Sequence, residues 1–273
     1  MGHAGLEPFL DAIRAVEAVG QTVALLRDTI TAVKGEGSLA PGDMRLADRL
    51  AHLLLVEHLA VSYPDIPVIS EEDSTSQSET RPAEYFLIDP IDGTSSWANG
   101  FAGYVSQLAL VRGSEAVFGA MHSPRRNEIW FAGKGHGAYR NYEPLPTITP
   151  RGPGIPLIVV DNTPLPSGII ADLSSCIGPF GYLESGSLGL KALLVASGEA
   201  DLFVKDVPVR DWDLAPAMVV LRETGAWIGR PGGEAFSLSG SFLKPDGVVV
   251  ARQKDVGMNV AGWMKSRARQ ALR

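Results

Sequence analysis

Apolar residues recur at helical spacing from Leu6 to about Val33, at Leu6, Phe9, Leu10, Ile13, Val16, Ala24 and Leu25, which predicts a long amphipathic helix. The turn-rich stretch from Lys34 to Gly42 breaks that pattern. A second helix is predicted from about Met44 to Ser62, with Leu46, Leu50, Leu53, Leu54 and Leu59 on its apolar face. From Pro67 the period shortens. Val68–Ser70 and Tyr85–Ile88 read as strands flanking a polar loop, and Val105–Arg112, Ala116–Met121 and Glu128–Phe131 as strands joined by turns at Gly113 and Pro124. Two helices followed by a run of hairpins predict an α+β first half, residues 1–145.

The Pro- and Gly-rich stretch from Glu143 to Gly154 reads as a connection. In residues 153–273, strand-like runs at Leu157–Val160, Asp201–Val204 and Val248–Ala251 alternate with helical stretches at Leu188–Ala196, Asp213–Glu223 and from Lys254 onward. That alternation predicts an α/β second half. No apolar run approaches the roughly 18 residues that span a bilayer. The first residues lack a basic start followed by an apolar core, so a cytoplasmic protein without a membrane partner is expected.

Charge narrows the ligands. With 24 Lys+Arg against 31 Asp+Glu the formal charge is −7, which argues against a partner of polymeric nucleic acid. Small phosphorylated ligands stay open, because a bound cation inverts the local field. Cys176 is the single cysteine, which excludes a disulfide framework, and the five histidines show no zinc-ligand spacing.

Acidic residues stand where strands end. Glu71-Glu72-Asp73 follows Val68–Ser70, and Asp89 is expected to end the strand Tyr85–Ile88 before Pro90-Ile91-Asp92-Gly93-Thr94. Proline stops a ladder and glycine permits an unusual φ. If a short helix opens after Gly93, the amides of Gly93, Thr94 and Ser95 face an anion in front of them. Glu71, Asp89 and Asp92 gathered in one cleft need a counter-cation, and an all-oxygen set that includes the Ile91 carbonyl suits Mg²⁺ or Mn²⁺.

The string Asp89-Pro-Ile-Asp-Gly-Thr94 resembles the metal-binding signature of the inositol monophosphatase superfamily. Ser70-Glu-Glu-Asp73 resembles its upstream acidic pair, and Trp212-Asp213-Leu-Ala-Pro216 its C-terminal signature. Gly133-Lys-Gly-His-Gly-Ala-Tyr139 resembles its Gly-rich hairpin, so the likeness spans nearly the whole chain. The resemblance implies a layered α/β/α/β/α sugar-phosphatase fold and a phosphomonoester hydrolase that activates water with two Mg²⁺. It implies that Glu71, Asp89 and the Ile91 carbonyl hold the first ion. Asp89, Asp92 and Asp213 hold the second, and Thr94 and Asp48 position the attacking water. A third, weaker ion is left open, because the loop before the second helix departs from the family pattern and Arg45 stands where Thr is usual. Mn²⁺ substitution, Li⁺ sensitivity and a homodimer are further implications.

For the substrate, Ser187 and Lys191 resemble the bisphosphate-nucleotidase branch, whereas Asp206 resembles an acid that binds polyol hydroxyls in inositol monophosphatases. The reading leans to a 3′-phosphonucleotide, as in 3′(2′),5′-bisphosphate nucleotidases. Inositol or another sugar phosphate is the alternative, and a non-hydrolytic phospholigand binder the alternative of another class.

Overall fold

The structure, a computed structural model, describes residues 5–78, 80–152 and 154–271. A single 3₁₀ turn, Glu7–Phe9, leads into α1 (Leu10–Lys34) and α2 (Pro41–Ser62). The first sheet follows in chain order: β1 (Val68–Ser70), β2 (Glu84–Asp92), β3 (Val105–Arg112), β4 (Glu115–Ser123), β5 (Glu128–Gly133), β6 (Ala138–Arg140) and β7 (Glu143–Pro144). The short helix α3 (Thr94–Ala98) sits between β2 and β3. β1 pairs parallel to β2, and every later neighbour is antiparallel.

The rest of the chain builds a second sheet from β8 (Ile158–Asp161), β9 (Gly181–Glu184), β10 (Leu202–Lys205), β12 (Trp227–Gly229) and β14 (Val248–Ala251), ordered β12-β14-β10-β8-β9. A two-stranded ribbon joins β11 (Val209–Arg210) to β13 (Leu243–Lys244). Its helices are α4 (Ile169–Asp172), α5 (Ser174–Ile177), α6 (Leu188–Ala196), α7 (Asp211–Thr224) and α8 (Lys254–Ala271).

The elements stack in the five expected layers. α1 and α2 cover one face of the first sheet, α6 and α7 lie between the sheets, and α8 with α4 and α5 covers the outer face of the second. Strand β2 shows why a two-faced core forms: Phe86 and Ile88 enter the core under α1 and α2, while Tyr85 and Leu87 enter the core under α7. Successive residues of a strand point to opposite faces, so Asp89 continues the row that faces α7. Among the described residues, no helix is long and apolar enough to cross a membrane.

Two expectations are corrected. The buried stripe of α2 is Ala47, Ala51, Leu55 and Leu59, whereas Leu46 and Leu53 are 56% and 52% exposed. Alanines one turn apart let α2 lie close on its neighbours, and that close approach outweighs burial of the longer leucines. Strand β2 also does not end at Asp89 but runs through Pro90 to Asp92. Its β1 partner stops opposite Ile88, so the missing proline N–H costs no ladder bond on that side. On the β3 side the register shifts between Asp89 and Asp92, which absorbs the bend.

Candidate active site

Three elements from both halves of the chain converge. Glu71 lies in the turn directly after β1, Asp89 lies on β2, and Asp213 lies in the first turn of α7. Ser70 pairs with Ile88 in parallel register, so the next residues, Glu71 and Asp89, emerge side by side. One carboxylate oxygen from each of Glu71, Asp89 and Asp213 falls within 4.8 Å of the others. Asp213 is fixed by its own helix end, because its Oδ2 accepts the Arg210 backbone N–H at 2.7 Å.

The electrostatics of the group favour a cation. Asp89 and Asp213 are 2% and 9% exposed. Burial and then the charge of Glu71 push the Asp89 carboxyl well above its usual range. Burial and then the charge of Asp92 do the same to Asp213. Glu71, at the solvent side, is raised to about 6, first by desolvation and then by Asp92, with Arg210 pulling it back. Carboxylates this close cannot all ionise alone, whereas a divalent cation would hold them ionised. An all-oxygen set fits Mg²⁺ or Mn²⁺ rather than a soft metal.

Asp92 lies beside this group and outside the 4.8 Å set. It turns both oxygens onto α6, accepting the Gly189 N–H at 2.8 Å and the Leu188 N–H at 3.3 Å. Next to it the backbone folds tightly. Ile91 N–H donates to Asp89 Oδ1 at 3.1 Å, and the Ile91 carbonyl accepts the Thr94 hydroxyl at 3.1 Å. Gly93 has φ +91°, and a Cβ there would stand 2.9 Å from the Gly103 carbonyl, so both conformation and space require glycine. α3 starts at Thr94, with Ser95 exposed on its first turn.

Asp48 reaches this corner from α2, near enough to Thr94 for that hydroxyl to act on its carboxyl. Burial, then the charges of Glu72 and Glu71, raise its pKa to about 7, against the Thr94 hydroxyl. The Thr94 hydroxyl lies near both the Ile91 carbonyl and Asp48, and it favours the ionised form of Asp48.

Of the residues expected at the substrate, Ser187 and Lys191 lie buried at the start of α6 and Asp206 lies exposed elsewhere. Ser187 is 2% exposed and caps α6, its hydroxyl accepting the Leu190 N–H at 2.8 Å. Lys191 is 1% exposed, with Nζ donating to the Gly186 carbonyl at 2.6 Å. Burial lowers its pKa to about 8. Both support the α6 start that grips Asp92. Asp206 is exposed and lines a separate groove of about 850 Å³ with Ile169, Pro231 and Met264, a groove to which none of the clustered carboxylates contributes.

Two residues at the site escaped sequence reasoning. Gln107, fully buried on β3, donates from Nε2 to the Trp212 carbonyl at 3.0 Å and lies 3.4 Å from both Asp89 and Asp92. Its signal was a long polar side chain inside the apolar run Val105–Arg112. Arg210 holds its guanidinium 5.4 Å from the Trp212 ring centroid, close enough for its charge to act on Glu71 and Asp213. Its position three residues before Asp213 was visible, but its orientation was not.

Known proteins match this chain over most of its length. The family model described as "Inositol monophosphatase family" matches residues 6–266. The 3′(2′),5′-bisphosphate nucleotidase CysQ of Shigella flexneri is 30% identical over 206 residues, covering 73% of this chain and 81% of that protein. A Thermotoga maritima protein named fructose-1,6-bisphosphatase/inositol-1-monophosphatase is 27% identical over 222 residues, covering 74% and 77%. The crystal structure of inositol monophosphatase II from Staphylococcus aureus superposes with a TM-score of 0.80 at 18% identity, covering 96% of this chain and 97% of that one. The chain therefore belongs to the inositol monophosphatase family, a family of metal-dependent phosphatases.

Proposed function

We propose that the protein is a Mg²⁺-dependent phosphomonoesterase that removes phosphate from a 3′-phosphonucleotide by direct attack of water, in the cytoplasm. The observation that carries the hydrolytic reading is the convergence of Glu71, Asp89 and Asp213 oxygens within 4.8 Å. Glu71, Asp89 and the Ile91 carbonyl would hold one ion, and Asp89, Asp92 and Asp213 a second, with Mn²⁺ able to substitute and Li⁺ competing for one place. When bound, the ions lower the pKa of water and offset the charge of the phosphate.

The chain's own groups do the rest. Asp48 and Thr94 orient the attacking water, and Asp48 takes its proton, a role suited to a pKa near the working pH. The amides of Gly93, Thr94 and Ser95 face the phosphoryl oxygens, where charge spreads in the transition state. Ser187 and Lys191 act behind Asp92 rather than on substrate.

The nucleotide reading is supported by the CysQ relative and by a cleft between α2 and the turn after β1. Arg45, Arg49, His52, Leu53, Glu72 and Asp73 line about 470 Å³ there. Arg45 stands three residues before Asp48 and His52 four after it, so the three share one helix face. Among the described residues neither arginine has an ion-pair partner, which leaves both to meet a second phosphate. Phosphate release should be measured in parallel from 3′-phosphoadenosine 5′-phosphate, inositol 1-phosphate and fructose 1,6-bisphosphate with Mg²⁺. The highest kcat/KM is expected on the first. Preference for either of the others would replace the nucleotide by a polyol or sugar phosphate, and no turnover on any would favour a binder.

A further inference from the structure

The start of α7 is held by a buried ionic cluster that the proposed chemistry does not use. Asp211, the first residue of α7, is fully buried two residues before Asp213. Its carboxylate lies 2.9 Å from Arg81 Nη2 and 3.1 Å from Lys244 Nζ. Both cations are themselves shielded, with side chains 10% and 7% exposed.

Arg81 does more than neutralise. Its Nη1 donates to the Leu238 carbonyl and to Tyr85 Oη at 3.2 Å, and its Nη2 to the Gly240 carbonyl at 2.6 Å. The guanidinium stacks 3.7 Å from the Phe242 ring centroid. Lys244 Nζ donates to the Ser239 and Ser241 carbonyls at 3.0 and 2.6 Å, and the Asp211 N–H donates to the Phe242 carbonyl at 2.9 Å. Residues 238–244 are thus gathered around one carboxylate, and a planar fork of donors is what that geometry uses.

The cluster also joins the two halves of the chain. Arg81 precedes β2, and its partner Tyr85 lies on β2, four residues before Asp89 and on the same face. A closed path therefore runs from Asp89 along β2 to Tyr85, through Arg81 to Asp211, and along α7 to Asp213. Asp89 and Asp213 repel each other when ionised, and Asp213 is carried by a separate element that repulsion would push outward. The buried pair opposes that displacement from the far side of the helix end.

We propose that Arg81 and Asp211 are positioning residues that hold Asp213 at metal-binding distance from Asp89 and Glu71, an inference that rests on the metal reading above. Outer contacts of this kind set the place of a ligand, and their loss typically weakens metal affinity about 10- to 100-fold. The test is Mn²⁺ binding followed by the EPR signal of free Mn²⁺, with thermal melts, on wild type, Asp213→Asn, Arg81→Met, Arg81→Lys and the double variant Arg81→Met/Asp211→Asn. Arg81→Met leaves Asp211 paired with Lys244, which guards against unfolding from one uncompensated ion, and the double variant then removes the remaining carboxylate.

Asp213→Asn is expected to lose one class of Mn²⁺ site. Arg81→Met and the double variant should weaken that same class about tenfold while sparing the other. Arg81→Lys should fall between, since it reaches Asp211 without the fork. A folded double variant with wild-type Mn²⁺ affinity overturns the proposal, and so does a loss shared equally by both classes, which would mark a merely structural role. Asp213→Asn binding Mn²⁺ like wild type would overturn the metal reading itself, and the positioning role with it.

Discussion

Asp92 on β2 and Gly189 at the start of α6 are joined by a 2.8 Å hydrogen bond, so a proposed metal ligand also caps a helix from the other half of the chain. The positive end of that helix favours a carboxylate, and the Leu188 N–H adds a second contact at 3.3 Å. Asparagine keeps the size and one acceptor but loses the charge. Asp92→Asn is therefore expected to lower kcat by about 100-fold or more. Metal-free stability should change by only about 1 kcal/mol, because the lost helix-end interaction is offset by relief of repulsion with the neighbouring acids. Steady-state kinetics and a melt of the same preparation check both halves. Wild-type turnover in this variant would remove Asp92 from the machinery.

The clustered acids make a signed prediction about pH. Glu71 is raised to about 6 and Asp48 to about 7, and Asp89 and Asp213 also stand above their usual range. A carboxyl whose folded pKa lies above its unfolded value binds its proton more tightly in the folded state. Its contribution to stability is complete below the unfolded pKa of about 4 and is lost as pH rises through the folded value. Metal-free protein should thus melt several degrees lower at about pH 8 than at about pH 5. Mg²⁺ should recover most of the difference at the higher pH, because it binds the ionised set. A Tm that rises over this range in chelator, or that ignores Mg²⁺ at alkaline pH, contradicts the arrangement.

How much of this was legible depended on how local each signal is. Asp89-Pro-Ile-Asp-Gly-Thr94 could be read from six residues, because proline, glycine and threonine each have a use within that short reach. Strand β3, helix α6 and strand β14 were bounded as observed, since Gly113, Gly186, Gly198 and Gly247 stand close to their ends. Asp213 entered only through resemblance, because nothing local ties it to β2. Ser187 and Lys191 were expected at the substrate, yet α6 is buried on almost every side, and sequence does not say which side of a helix meets the cleft. The pairing of Arg81 with Asp211 was invisible for the same reason: it joins residues far apart in the chain, and only packing selects it. On α2, leucines and alanines offered two stripes, and close approach selected the alanines.

The Asp48–Thr94 contact predicts a defect in chemistry without a defect in metal binding. Asp48 belongs to α2 and lies outside the three-carboxylate set, while the Thr94 hydroxyl acts on its carboxyl. Asp48→Asn preserves shape but cannot take a proton from water. It should lower kcat by about 100-fold, within the range for losing one positioned acid–base group, and leave KM and Mn²⁺ affinity near wild type. An equal loss of Mn²⁺ binding would move Asp48 among the ligands. Unchanged kcat would leave proton transfer to bulk water.

The cleft between α2 and the turn after β1 carries the prediction about substrate choice. Arg45 and Arg49 sit one turn apart on α2, both exposed and without an acidic partner among the described residues. A phosphate on the leaving nucleoside would meet them as charge-assisted hydrogen bonds, which are stronger than neutral ones. A substrate with a single phosphate has nothing to place there. The double variant Arg45→Ala/Arg49→Ala should therefore cut kcat/KM for 3′-phosphoadenosine 5′-phosphate about tenfold, equivalent to about 1.4 kcal/mol, mostly through KM. Adenosine 3′-monophosphate and inositol 1-phosphate should be hydrolysed as before. Because both side chains are exposed, the melting temperature should hold, which separates recognition from folding. An equal loss on all three substrates would assign the arginines to the shared phosphate, and no loss on any would leave them as solvated surface.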